Sequence, residues 1–574
     1  MILVRNLLKN KINLSLAPLH LNIILTIMKN LLFLPLLALM TVVSYGQIKV
    51  GNANLDYGQT ITNKDGKVVR IAGMVDNTIY ALANQKKKYY LQTFDAGTKQ
   101  IKKSVLVDLE KIDNKKVHLE DFVLIEDKVY VMASYYNNKE NRNVFLSKEV
   151  TSELKLGKTK TLLDIDVPSD KHRGVFVYDS SYDGVNYFVS HVGIIEKKET
   201  LTYEFALIDK DLNVVLNDSY SQSFEDRKDL EFDFADFNIN EHGDLFIVTT
   251  ESYRDKTGKT TVNNMTLHSY IESKAYAKQV LDINMSGKKA LNCNMIETKD
   301  GRLHMVGFYS DLKSSGKAER GLEGIFDITA NFNTNTITKQ TFNEFTLETK
   351  TKILGERRAN KGKDLNPFYR NTHLIEKEDG GIFVLSEFYT EVVGRTSGIG
   401  PLAFTPITYV ANEIIVTSLD ADGTLKWSNV VPKEQSVTVS QMGLNLGFIG
   451  GGGNITVSAA FMFPLTILGS GPEYLSSLPL YNNGKLTILV NDDPKNIGTV
   501  NMDDVRRVSN VNKMIPALFI FDESTGAMER IDPEEFEKKQ IVVQPFTIFK
   551  MSDREAIIYG SNKEGANLGV LSLN

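Results

Sequence analysis

A chain of 574 residues is about twice what one ordinary hydrophobic core fills, so it needs either several domains or a repeat architecture. Hydrophobic residues at 42% and charged residues at 24% exclude both a disordered chain and a multi-pass membrane protein. With 66 basic against 71 acidic residues the formal charge is −5, which argues against a nucleic-acid partner, whose phosphates demand a basic surface.

At the N-terminus, Lys29 and Asn30 precede an apolar run from Leu31 to Val43, and Ser44-Tyr45-Gly46 places small residues where a signal peptidase reads before Gln47. The pattern predicts a signal peptide over 28–46, with Met28 as the true start and 1–27 as an upstream extension of the gene. The run is about 13 residues against about 20 for a span, which disfavours a membrane anchor. Cleavage would remove Arg5, Lys9, Lys11 and Lys29 and no acid, moving the formal charge from −5 to about −9. No cysteine stands at the cleavage point to carry a lipid, and the single Cys293 cannot form an internal disulfide. The expected location is the periplasm or cell envelope, or the secreted fraction.

Beyond Gln47 a strand-turn-strand core recurs. It appears at Val68 to Ala83 around Asp76-Asn77, His118 to Tyr135 around Glu126-Asp127, Gly174 to Val192 around Asp183-Gly184, and Phe234 to Tyr253 around His242-Gly243. It returns at Asn294 to Tyr309 around Asp300-Gly301, His373 to Tyr389 around Asp379-Gly380-Gly381, Leu478 to Asp492 around Asn483-Gly484, and Phe546 to Tyr559 around Asp553-Arg554. A second strand pair follows each copy, as in Phe205 to Ile208 with its Asp209-Lys210-Asp211 turn. Alternating apolar residues bounded by Asp, Asn and Gly turns are the mark of antiparallel hairpins.

Four antiparallel strands per unit, repeated, predict an all-β β-propeller of eight four-stranded blades, with seven as the alternative if two weaker copies merge. The last unit supplies three strands, ending in Gly569 to Leu573, while Asn54 to Asn63 has no unit of its own. That N-terminal strand is expected to complete the last blade, closing the ring and removing a free edge. The domain reading is one propeller over 47–574 with inserts at 391–410 and 435–472.

Chain reversal puts the short Asp/Gly turns on one face of such a ring and the long connections on the other, where binding usually resides. Tyr135, Tyr136, His191, Glu251, Tyr253, Tyr309, Glu387, Tyr389 and Asp492 end second strands and lead onto the long-loop face. They would suit a sugar, a cation or a peptide at the channel mouth. Equally, tyrosine ends strands because an apolar ring with a wet hydroxyl fits there. The 435–472 insert carries no charge and holds Phe448, Phe461 and Phe463. It is expected either to offer an apolar surface to a partner or to fold back as a cap. Its glycines and scattered polar residues disfavour membrane contact.

Motifs for chemistry are weak. The histidines are dispersed and none sits at metal-ligand spacing, Asp420-Ala421-Asp422-Gly423 reads as a turn, and Gly450 to Gly453 lack the Lys-Ser/Thr of a phosphate loop. Asn491-Asp492-Asp493 with Asn496 clusters oxygens that could hold a cation. No Gly-x-Ser-x-Gly elbow is present. No catalytic residue, metal or cofactor is assigned.

The Tyr45-Gly46-Gln47 junction, the unit IIVTSLDADGTLKWSNVVPKEQ (Ile414 to Gln435) and KLTILVNDDPKN (Lys485 to Asn496) together resemble uncharacterised exported β-propeller-like proteins of the Bacteroidota. The resemblance implies compartment and fold and carries no activity. The leading functional expectation is a non-enzymatic scaffold that binds an envelope protein or glycan through the long-loop face. The alternative is a propeller hydrolase or lyase acting on a polysaccharide, with Glu251, Glu387 and Asp492 as its acids.

Overall fold

The computed structural model describes residues 47–573 except 63, 110, 113, 170–172, 182, 196–199, 224–227, 396–404, 442–454, 460–464, 466, 467, 469, 509, 535–540 and 562–564. The proposed signal at 28–46 and the extension at 1–27 therefore lie outside the described residues, as do Phe448, Phe461 and Phe463.

The chain is an eight-bladed β-propeller. Blade 1 runs from Lys67–Val75 to Ile101–Leu106, blade 2 from His118–Ile125 to Leu156–Asp166, blade 3 from Val175–Ser180 to Val214–Ser223, and blade 4 from Lys228–Ile239 to Lys278–Asp282. Blade 5 opens with two short segments, Lys288–Ala290 and Asn294–Glu297, that both pair with Leu303–Asp311, and it ends at Thr336–Glu344. Blade 6 runs from Tyr369–Glu376 to Leu425–Val431, blade 7 from Ser477–Asn482 to Met528–Ile531, and blade 8 from Val542–Lys550 to Ala566–Leu573. First strands of blades 8, 1 and 2, and of blades 4, 5 and 6, touch one another, which places them on the inner wall of the ring.

Each blade is buried on both faces, so its middle strands carry apolar residues at both parities. In Leu245–Arg254, Leu245 and Ile247 join the core shared with blade 3, while Phe246 and Val248 join the core shared with blade 5. The same alternation divides Ile382 and Val384 from Phe383 and Leu385 between blades 5 and 7. Every one of the eight inter-blade spaces is filled by such a cluster, including the one between blades 8 and 1 around Val68, Phe94, Ile557 and Tyr559. Turn chemistry supports the hairpins: Asn483 and Gly484 both have positive φ, +50° and +68°, as a two-residue turn matched to strand twist requires.

Ring closure follows the expectation. Ala53–Tyr57 pairs antiparallel with Ala566–Leu573, placing Ala53 opposite Leu573 and Tyr57 opposite Gly569. Gln47–Val50 adds a further, outer strand that the sequence reading did not anticipate. Asparagines fasten blade to blade by donating to backbone carbonyls of the next blade. The Nδ2 of Asn143 donates to Arg173 O at 3.0 Å, that of Asn429 to Gly526 O at 2.9 Å, and that of Asn491 to Val543 O at 2.7 Å.

The inserts differ from a loop reading. Residues 391–393 and 405–410 are not loop but extensions of Ile382–Val393 and Thr405–Leu419, and Gln435–Gln441 adds a third strand beside them. Gly, Pro and Ser at 394–402 masked a genuine period of two in Thr405 to Ala411, whose Ile407, Tyr409 and Ala411 face inward with Val439 and Leu475. Beyond it, Ile455–Ala459 pairs in parallel with Leu230 to Phe234 on the inner edge of blade 4. Leu465 and Leu468 are buried in the core of blades 1 and 2 beside Phe546. The backbone carbonyl of Tyr474 then accepts from Asn491 Nδ2 at 2.9 Å before blade 7 begins. The described parts of the 435–472 insert thus tour the inner wall and pack on their own propeller.

Candidate functional site

Glu387 and Asp492, two of the three acids of the hydrolase alternative, sit in blades 6 and 7, each against a buried cation. Lys433 Nζ lies 2.5 Å from Glu387 Oε1 with both side chains sealed from solvent, and it also donates to Ala411 O and Gln435 Oε1. Arg530 Nη1 lies 2.9 Å from Asp492 Oδ2, equally buried, while Asn496 donates to Oδ1 at 2.7 Å. Burial pushes the Asp492 carboxyl above the usual carboxylate range, against the pull of Asn496 and Arg530. Both acids therefore act as staples. Nearby, Asp493 Oδ1 accepts from the Lys495 N–H and Asn496 Oδ1 from the Arg506 N–H, and among the described residues no group of three His, Cys, Asp or Glu could hold a metal ion.

The other singled-out residues are placed as follows. His191 is buried, its Nε2–H donating to Arg173 O at 2.6 Å, and burial lowers its pKa to about 4, so the ring stays neutral. Tyr136 donates to Asn141 Oδ1 at 2.9 Å, Tyr135 packs against Val117, Ala133 and Leu146, and Tyr253 packs on the core of blades 3 and 4. Arg370 lies 4.7 Å above the Tyr389 ring.

Of the remaining two, Glu251 lines a cleft, and Tyr309 stands behind the lining residue Lys288. Between blades 4 and 5, at the long-loop end, lies a cleft of about 270 Å³ lined by Glu231, Asp233, Thr250, Glu251, Ser252 and Asn263, with Lys288 and Lys289 on its other wall. Glu251 Oε1 accepts from Asn264 Nδ2 at 2.6 Å. Lys288 lies 4.8 Å over the Tyr309 ring and 2.8 Å from Asp311 Oδ1, and Lys289 lies 2.7 Å from Glu231 Oε2. Reading the sequence missed Glu231, Asp233, Thr250, Ser252, Asn263 and the two lysines. The alternation Glu231-Phe232-Asp233-Phe234 was a legible signal, since acids at one parity of a two-sided core strand have to be explained. A second hollow of about 560 Å³ lies at the rim of blades 2 and 3, where a bulge after Leu156 opens the outermost strand.

Comparison with known proteins gives fold likeness only. No family model matches the chain, and no curated protein matches it. Among solved structures, it is similar to the WD40 domain of SCAP from fission yeast at 9% identity, covering 90% of this chain and 96% of that chain with a TM-score of 0.31. The β-propeller domain of the trilobed protease from Pyrococcus furiosus gives 7% identity, 84% and 98% coverage and a TM-score of 0.30. The NanB sialidase from Streptococcus pneumoniae gives 7% identity, 92% and 98% coverage and a TM-score of 0.31. At these values no activity passes from any of them to this chain.

Proposed function

We propose that this chain is an exported, non-enzymatic propeller scaffold that binds an envelope partner, protein or glycan, through its long-loop face. One observation carries the reading: Glu387 and Asp492 are each buried against a buried cation, Lys433 and Arg530, which removes them from acid or base work. What remains on that face is a rigid rim bearing a three-stranded extension over blade 6 and a polar cleft between blades 4 and 5. Rigid scaffolds of this kind position loops for recognition.

The test is to incubate the full chain with a panel of envelope and plant polysaccharides, following retention by co-sedimentation and new reducing or unsaturated ends by chromatography. Retention without new ends is expected. Turnover that disappears in Glu251→Gln would replace the scaffold by an enzyme.

A further inference from the structure

The cleft between blades 4 and 5 is built as two polar rows. On the face of blade 4 that looks toward blade 5, Glu231 stands opposite Ser252, and Ser252 opposite Asn263; one step along, Asp233 stands opposite Thr250, and Thr250 opposite Met265. Residues two apart on a strand share a face, so the Thr250 and Ser252 hydroxyls point the same way. The same parity further down the strand, Phe246 and Val248, packs against blade 5, which fixes the direction of that face.

The hydrogen-bonding capacity here is not spent. Among the described residues neither hydroxyl has a partner, and the Asn263 Oδ1 is buried without one, although its Nδ2 donates to Gly316 O at 2.9 Å. Buried polar atoms ordinarily find partners, so an orphaned acceptor beside two idle hydroxyls marks a place where a ligand or water completes the set. Both lysines, by contrast, are already engaged: Lys289 is held by Glu231 and Lys288 by Asp311, so an anionic ligand would have to break an ion pair to enter. Met265 and Met285 supply an apolar floor. A volume of about 270 Å³ lies below the range of about 300–1,000 Å³ typical of drug-sized ligands, room for one ring and not a chain.

We infer that this cleft is a binding subsite for a single neutral sugar ring, whose hydroxyls both donate to and accept from Thr250, Ser252 and Asn263 while its apolar face rests on Met265 and Met285. The inference rests on the binding-scaffold reading and narrows it to a glycan at one address. The strand Ile455–Ala459 pairs in parallel along Leu230 to Phe234, the segment that carries Glu231 and Asp233.

The test applies the full chain to a printed array of neutral gluco-, manno-, galacto- and xylo-oligosaccharides, with sialylated and sulfated glycans as the charged arm. Binding to a neutral series is expected, weakened about tenfold for each hydroxyl removed in Thr250→Val and Ser252→Ala, with melting temperature unchanged. Methyl-labelled methionine gives a second readout that needs no variant: the Met265 and Met285 methyl resonances should shift on titration with the best neutral oligosaccharide. Silence across the neutral series, selection of charged glycans only, variants that bind as well as the parent, or methyl resonances that stay in place would each overturn the subsite. A protein partner recovered without glycan binding would leave the scaffold reading standing and end this one.

Discussion

Lys433 Nζ sits 2.5 Å from Glu387 Oε1 at the point where blade 6 hands the chain to the segment that tours the inner wall. The same ammonium donates to Gln435 Oε1 at 3.0 Å, and Gln435 Nε2 donates onward to Asn491 O at 2.6 Å, so one buried cation links blades 6 and 7 and the start of the insert.

Lys433→Met should therefore cost about 3–5 kcal/mol, because it leaves the Glu387 carboxylate buried and alone, whereas replacing both residues by Met should recover most of that loss. Urea unfolding of the two single variants and the double reads it directly. A double variant as unstable as Lys433→Met would show that packing, not charge, sets the cost.

Closure of the ring depends on the strand Ala53–Tyr57, whose Leu55 is fully buried in the core of blades 7 and 8. Leu55→Ala is expected to lose about 2–5 kcal/mol. Deleting residues 47–57 should go further, exposing the edge of Ala566–Leu573 and producing concentration-dependent oligomers in gel filtration. A truncated chain that stays monomeric would mean that closure does not protect this edge.

Two buried groups give pH dependences of opposite sign. Burial lowers the His191 pKa to about 4, so below about 6.5 the unfolded chain takes up a proton that the folded ring refuses. Its stabilising contribution is complete above about 6.5 and is lost as pH falls toward 4, by about 1.4 kcal/mol per pH unit. Burial raises the Asp236 carboxyl to about 7, so its contribution is complete below the unfolded value and is lost as pH rises through 7. Unfolding midpoints between pH 4 and 8 should show a shallower acid-side decline in His191→Gln. In Asp236→Asn, which keeps an acceptor for the Met295 N–H, the loss toward neutral pH should vanish. Parallel curves for parent and variants would refute both assignments.

Proposed export carries its own expectation. Expressed in a Gram-negative host, the chain should be recovered from the periplasmic or envelope fraction, and its first residue by N-terminal sequencing should be Gln47. Recovery in the cytoplasm with Met1 or Met28 retained would remove the exported part of the proposal.

The repeat is written in short-range signals. Asp76-Asn77, Asn483-Gly484 and their counterparts supply the backbone geometry of hairpin turns locally, and the period-two alternation between them needs no knowledge of neighbours, so eight blades and the N-terminal closing strand could be read in advance. What lies between blades follows instead from ring closure. That Ile455–Ala459 would pair with Leu230 to Phe234, that Lys433 would find Glu387 and Arg530 would find Asp492, and that Thr250, Ser252 and Asn263 would face a cleft all depend on which surfaces ring closure sets side by side. Turns are short-range and carry their own signal, whereas the partner of a buried charge, or of an idle hydroxyl, is chosen by residues tens to hundreds of positions away.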